Sequence, residues 1–351
     1  MEGKLCKFSF RLPPAGSLLL YLRAEGAPSE EEELGAPQTK LSSAPKVARL
    51  DPNVLVIDYV DITLDGEKHE KIYFFEAQQL IFRKYGLRGN PWDRSIQFRD
   101  EIIRKRFPPD SGFEATYRFV IEGSVPSDLS FVLESPGLYT ITCNGKRVVP
   151  TKGAWWLDRS FGVIPIAECA QIGENFVTIR AQPLTVFHEL EPAYVLGSFS
   201  LKESDSGFTI VPEKRLGLGS WRKQGLCLYG HRVKYTERVE VPAFRKCILK
   251  LGRWYGSVAK VKVNGKDAGY IAFAPWELDV SDLVKVGPNE VSVIVFGTLK
   301  NTLGPHHGNP SLGSAWPAMF VRAPKHGPPP GSSYSTADYG LFEPFVLEVY
   351  Q

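Results

Sequence analysis

A pattern written twice constrains this chain more than any other feature. The segment 140–146, ending Asn144-Gly145-Lys146, is matched by 261–266, ending Asn264-Gly265-Lys266. Downstream, Trp155-Trp156-Leu157-Asp158 is matched by Trp276-Glu277-Leu278-Asp279. Further on, Gly173-Glu174-Asn175-Phe176-Val177 is matched by Gly287-Pro288-Asn289-Glu290-Val291. Order is kept and the spacings are similar. Asn-Gly between two apolar runs asks for positive φ at both turn positions, which makes a tight hairpin. Trp-x-Leu-Asp is an apolar anchor leading into a turn whose Asp bonds local backbone amides. Gly-x-Asn is a turn that launches another strand. Three elements in register predict a duplication: two related antiparallel sandwich domains.

The rest of the chain agrees with a β-rich reading. At 351 residues it has about two domains' worth of length. Its 43% hydrophobic and 23% charged residues suit packed cores rather than disorder. Gly 32 and Pro 27 are numerous, as many turns require. Lys plus Arg at 42 nearly balances Asp plus Glu at 39, so no charge excess points to nucleic acid or an anionic membrane. No run approaches the ~20 apolar residues of a membrane-spanning helix. The first residues carry no secretion-signal pattern, and the reading preferred here is a chain cut from a longer one. The five cysteines, Cys6, Cys143, Cys169, Cys227 and Cys247, form no CxxC. Their odd number argues against a disulfide framework, and Cys143 and Cys247 sit in apolar runs that bury free thiols. No Cys/His spacing suits a metal.

Residues 1–49 are expected to hold short N-terminal strands, over 5–23, and an acidic, Pro-rich linker with Glu30 to Glu33 in a row. A first sandwich with a helical insertion is assigned to 50–212 and a second jelly roll to 213–351. Val54 to Leu64 has the pattern of one strong strand. Residues 73 to 85 predict a helix, with Gly86 at its C-cap, and 96 to 105 a second, shorter one. Strands are expected over Phe113–Ile121, Leu129–Glu134, Leu138–Cys143, Phe176–Ala181 and Leu341–Tyr350.

The second block carries a family resemblance. Trp254 to Gly269, Pro275-Trp276-Glu277-Leu278-Asp279-Val280, Gly287 to Val291 and Phe296 to Gly308 resemble the galactose-binding-like jelly rolls of large glycoside hydrolases. They look most like the C-terminal region of the α-L-rhamnosidase-related families and the sugar-binding domain of family 2 enzymes. The resemblance covers roughly 50 to 351. It implies a mainly β fold and an oligo- or polysaccharide partner of plant or microbial origin. It also implies a catalytic (β/α) barrel elsewhere in a longer, extracytoplasmic protein. The chain is too short for a barrel of about 250 residues beside two sandwiches. No catalytic residue is therefore carried over, and no cofactor is implied. Jelly rolls of this kind often carry a structural Ca2+, but no Asp-x-Asp-x-Asp loop is present here.

Sugars are held by aromatic faces against ring C–H groups and by planar polar side chains on the hydroxyls. Seven Trp qualify as candidates: Trp92, Trp155, Trp156, Trp221, Trp254, Trp276 and Trp316. Trp254 and Trp276, inside the repeat framework, are expected to pack in the core. Trp155, Trp156 and Trp316, in Gly/Pro-rich text, are the preferred sugar-facing rings, one of the adjacent pair facing outward. His306 and Asn301 lie in a loop that either presents them to ligand or uses them to fix itself. For catalysis the candidates are Glu189, Glu191 and Asp158. Glycoside cleavage needs two carboxyls, about 5 Å apart for retention or roughly 6.5–9.5 Å for inversion. Glu189 and Glu191 would share a face if their segment were a strand.

Three functions follow as expectations. The first is a carbohydrate-binding accessory region of a glycoside hydrolase. The second is a self-contained glycosidase or polysaccharide lyase on a β-sandwich. The third is a spacer that docks on a catalytic barrel. A paired-carboxylate cleft favours the second, an aromatic groove the first, an exposed apolar patch the third.

Overall fold

In a computed structural model the described residues are 35–94, 98–308, 316–325 and 327–351. Their strands form antiparallel sandwiches over two large hydrophobic clusters, beside a small third one of Tyr59, Tyr73 and Phe74. One large cluster is built mainly from residues between Val54 and Phe208, the other mainly from residues between Trp221 and Val349.

The strand Phe113–Ile121 shows why the chain folds this way. Phe113, Ala115, Tyr117, Phe119 and Ile121 alternate inward and are all buried. Full burial of each larger side chain contributes about 1.5–3 kcal/mol. Phe113–Ile121 pairs antiparallel with Gly173–Ala181, which pairs onward with Thr140–Cys143. The facing sheet runs in the order Trp155–Trp156, Asp158–Pro165, Ser130–Glu134, Ala193–Gly197, Asn53–Ile57. In the second sandwich Arg232–Val241 pairs with Gly287–Phe296, which pairs with Val258–Val263. Its other sheet holds Thr39–Leu41, Val346–Tyr350, Lys246–Lys250 and Glu277–Asp279.

The repeat survives to the level of single hydrogen bonds. Asn144 and Asn264 take φ of 47° and 52°, and Gly145 and Gly265 both take 80°. The side-chain amide of Asn144 donates to Asn175 Oδ1 at 2.9 Å, as that of Asn264 does to Asn289 Oδ1 at 2.9 Å. Asn175 Nδ2 donates to the Gln171 and Gly173 carbonyls, and Asn289 Nδ2 to those of Lys285 and Gly287. Gly173 and Gly287 share a φ of 96°. Each Asp of the Trp-x-Leu-Asp element accepts from the amide two residues on, Ser160 at 2.8 Å and Ser281 at 3.0 Å.

Several expectations are corrected. Val54 to Leu64 is not one strand. It breaks at Asp58 into Asn53–Ile57 and Tyr59–Leu64, which belong to opposite sheets. The break is held from afar: Asp58 accepts from His307 Nε2 at 2.9 Å and from the Tyr334 hydroxyl at 3.0 Å, all three buried. The expected linker within 1–49 is not wholly a linker, because Thr39–Leu41 pairs with Val346–Tyr350. Lys46–Arg49 pairs with Arg232–Val241. The first helix is Phe74–Lys84, with Gly86 at φ 80° behind it. Within 96–105 the helix spans Asp100–Ile103, and the last expected strand is Val346–Tyr350 after the two-residue Gly340–Leu341. Cys143 and Cys247 are buried free thiols, and burial pushes each up to about 11. The expected strands over 5–23, the Glu30–Glu33 run and Cys6 lie outside the described residues.

Candidate functional site: an acidic, aromatic-walled cleft

A cleft of about 560 Å3 opens on the first sandwich, lined by Trp92, Phe187, Glu134, Ser135, Leu138 and Glu189 among others. That volume is within the range of about 300–1,000 Å3 typical of small-molecule sites. Its parts come from distant points in the chain. Glu134 ends the strand Ser130–Glu134. Ser135 follows in a left-handed conformation, φ 47° and ψ 49°, and turns the chain around the cleft's rim. Trp92 sits on a short helical turn, Pro91–Arg94, beyond the Phe74–Lys84 helix. Phe187 and Glu189 belong to the connection between Gly173–Ala181 and Ala193–Gly197.

That connection is irregular, yet it is tied down along its length. The Trp92 indole donates to the Val186 carbonyl at 2.7 Å. The hydroxyls of Tyr139 and Tyr117 donate to the carbonyls of Glu189, 3.1 Å, and Glu191, 2.7 Å. His188 Nδ1 accepts from the Thr185 amide at 2.9 Å, so its Nε2 carries the proton that meets the Leu138 carbonyl at 3.0 Å. Burial lowers the His188 pKa, which suits this neutral form. The Trp92 and Phe187 rings lie 5.9 Å apart at 48°, and Phe187 is 48% exposed. Two rings held at an angle, one largely bare, form a wall for an apolar ligand face.

Two carboxyls, Glu134 and Glu189, line the same cleft. Burial pushes Glu189 up to about 7; the Asn90 amide opposes this, and the charges of Glu134 and Asp93 add to it. Glu134 is raised by burial and then by the charge of Asp158. Glu189 and Glu191 would share one face if their segment were a strand. No strand forms there, and the two carboxyls part company. Glu189 lines the cleft, whereas Glu191 Oε1 accepts from Gln78 Nε2 at 2.6 Å. Burial and the charge of Glu189 hold Glu191 well above the ordinary carboxylate range. Asn90 joins the two, its Nδ2 donating to Glu189 Oε1 at 2.5 Å and to Gln78 Oε1 at 2.7 Å. Asp158 is the opposite case: exposed, held below its usual range by the Ser160 amide and hydroxyl, and ionised as a turn cap.

The other sequence candidates lie elsewhere. Trp155 is 54% exposed and Trp316 51% exposed, and neither lines this cleft. Trp156 is partly buried against Tyr194 at 5.0 Å and His231 at 5.8 Å. Asn301 and His306 are buried and engaged with the chain itself. Asn301 exchanges two hydrogen bonds with the Ala337 backbone, at 2.9 and 2.7 Å. His306 Nε2 meets the Asn301 carbonyl at 2.9 Å. Their polar atoms therefore fix the loop, the second of the two roles open from sequence. Trp221 is core, its indole donating to Tyr235 at 2.8 Å. Trp254 packs on the second core, but Trp276, expected inside, is 40% exposed and meets Trp254 edge-on. Glu134 and Phe187 were not singled out from sequence. The only local signal was a strand-ending Glu before Ser135-Pro136-Gly137, and a Phe between Val186 and His188. Among the described residues no group of three or more His, Cys, Asp or Glu is placed to hold a metal ion.

No family model matches the chain, and no curated protein matches it. Among solved structures it is similar to glycoside hydrolases. A rhamnosidase from Novosphingobium sp. PP1Y is 15% identical, over 69% of this chain and 23% of that one, with a TM-score of 0.27. A GH2 beta-galacturonidase from Eisenbergiella tayi is 19% identical, over 43% and 22%, with a TM-score of 0.25. A beta-D-mannosidase from Dictyoglomus thermophilum is 10% identical, over 70% and 31%, with a TM-score of 0.26. The matched part is thus about a quarter to a third of each of those proteins.

Proposed function

We propose that this chain is a carbohydrate-binding accessory region of a glycoside hydrolase acting on plant or microbial polysaccharide. In this reading the Trp92/Phe187 cleft is its sugar site. One observation carries it: the half-buried Trp92 ring and the exposed Phe187 ring line the same cleft of about 560 Å3 as two carboxyls, Glu134 and Glu189. A pyranose has an apolar C–H face and a rim of hydroxyls. The rings cover the first, and the carboxyls take the second, accepting when ionised and donating when protonated. The sequence resemblance points to the same class of ligand. Calorimetric titration with oligosaccharides, run on the wild type and Trp92→Ala, tests it. Binding that Trp92→Ala weakens about tenfold or more, with no products formed, supports the reading.

A second reading, hydrolysis at the same cleft, is favoured by the unequal environments of the two carboxyls. Burial raises Glu189 to about 7 against the pull of its Asn90 hydrogen bond, whereas Glu134 is raised by burial and by the charge of Asp158. Unequal carboxyls are what an acid and an ionised partner require. Sugar release abolished by Glu189→Gln would establish this reading in place of the first.

A further inference from the structure

The largest sheet of the first sandwich is split. The strand Phe113–Ile121 is flanked along 114–117 by Tyr59–Leu64. Phe208–Val211 reaches the same edge only at Ile121, where Ile210 sits opposite in parallel. Between these contacts, beside Arg118–Val120, a cavity of about 480 Å3 opens, with Leu55, Val60 and Phe208 among its apolar walls. Part of the rim comes from the Gly327-Pro328-Pro329-Pro330-Gly331 loop. The Gly207 amide donates to the Pro329 carbonyl at 2.8 Å, and Pro328 lines the cavity.

The polar groups at this split are of two kinds. Asp61, 6% exposed, is saturated: its Oδ1 accepts the Lys71 amide at 2.8 Å and its Oδ2 takes the Arg118 guanidinium. That pairing fixes Arg118, whose guanidinium also lies 5.2 Å over the Phe176 ring. The rest are uncommitted among the described residues. Arg118 uses Nε and Nη2 on Asp61, which leaves the Nη1 hydrogens without an acceptor among the described residues. The Thr209 hydroxyl and the exposed carboxylates of Glu174 and Asp205 line the cavity with no side-chain partner among the described residues. Unpaired donors and acceptors side by side over an apolar floor match adjacent hydroxyls, each of which donates and accepts. The charges lining the cavity are Asp58, Asp61, Glu174 and Asp205 against Lys71 and Arg118. This acidic excess repels a carboxylate ligand.

From this geometry we propose a second, separate binding site in the split sheet, selective for neutral sugars over uronates, with Arg118 as its fixed donor. It does not depend on the Trp92 cleft. Saturation-transfer NMR on the full chain tests it with methyl β-D-galactopyranoside, methyl α-D-mannopyranoside and cellobiose, and D-galacturonate as the charged counterpart. Ser206 is an exposed lining residue, so Ser206→Trp fills the mouth without touching the core. Arg118→Gln removes the donor. The expected result is transfer to at least one neutral probe that survives in Trp92→Ala. It weakens about tenfold or more in both Ser206→Trp and Arg118→Gln, and D-galacturonate binds more weakly. The proposal is overturned if no neutral probe shows binding that Ser206→Trp removes, or if D-galacturonate binds as well as the neutral probes. Should every signal vanish in Trp92→Ala alone, the first cleft stands and this site does not.

Discussion

Glu189 and Glu191, two residues apart in sequence, are joined by a relay of side-chain amides instead of facing the same way. Glu191 accepts from Gln78, Gln78 accepts from Asn90, and Asn90 donates to Glu189. The relay spans the connection that forms one side of the cleft and the Phe74–Lys84 helix that carries Gln78. Asn90 uses both Nδ2 hydrogens, one on each neighbour. Asn90→Ala therefore strips both Gln78 Oε1 and Glu189 Oε1 of their donor. Leaving buried acceptors unpaired costs about 1–3 kcal/mol. The expected outcome is a loss of that size in chemical denaturation and a Glu189 pKa raised further, since the Asn90 bond is what lowers it. Carboxyl NMR titration reads the second effect.

The raised Glu189 pKa has a definite sign in the stability of the fold. Its value is about 7, against 4.5 for the free group. Between these pH values the folded state holds a proton that the unfolded state has released. The contribution is thus full below pH 4.5 and is lost as pH rises through about 7. Glu134 and Glu191, also raised, act in the same sense. Denaturation midpoints should fall across this window in the wild type, and Glu189→Gln should flatten the fall. A midpoint that rises with pH, or a slope unchanged in the variant, contradicts the assignment.

Asp58 ties the two halves of the chain together. It ends an edge strand of the first sandwich, and its partners His307 and Tyr334 lie beyond the Gly287–Phe296 strand of the second. Asp58→Asn presents a donor where two donors already point. Leaving a buried donor without its acceptor costs about 1–3 kcal/mol. The variant should unfold in two separable steps if the wild type unfolds in one, as read by calorimetry. A single unshifted transition would show that the link is energetically idle.

The duplicated turns should respond in parallel. Asn144→Ala and Asn264→Ala each remove a side chain that suits positive φ and holds the following turn. Each should destabilise its own sandwich by about 1–3 kcal/mol, from lost hydrogen bonds and strain at the αL position. Hydrogen exchange mapped by domain checks this, with faster exchange expected mainly around the altered turn.

These turns were legible in the sequence because their chemistry is local. Asn-Gly dictates its own backbone, and Asp158 needs only the amide two residues on. The break at Asp58 was not legible. Eleven residues that suit a strand are divided by a hydrogen bond to a His 249 positions away. The cleft was hidden for the same reason. Trp92, Glu134 and Phe187 come from three separate stretches, and nothing near any of them reveals the others. Period-two reasoning failed at Glu189 and Glu191 because it presupposes a strand. Pro183, Pro192 and the tyrosine hydroxyls mark an irregular, tied-down connection there. The sequence left two roles open for Asn301 and His306 because polar residues in a Gly/Pro loop look the same whether they face a ligand or the loop's own backbone.

The most direct measurement is a calorimetric titration of the full chain with a panel of plant and microbial oligosaccharides, with products assayed in the same cell. The wild type, Trp92→Ala and Glu189→Gln are compared. The predicted result is saturable binding without sugar release, weakened about tenfold or more by Trp92→Ala, a change of roughly 1.4 kcal/mol. Binding indifferent to Trp92→Ala, or sugar release that Glu189→Gln abolishes, would contradict it.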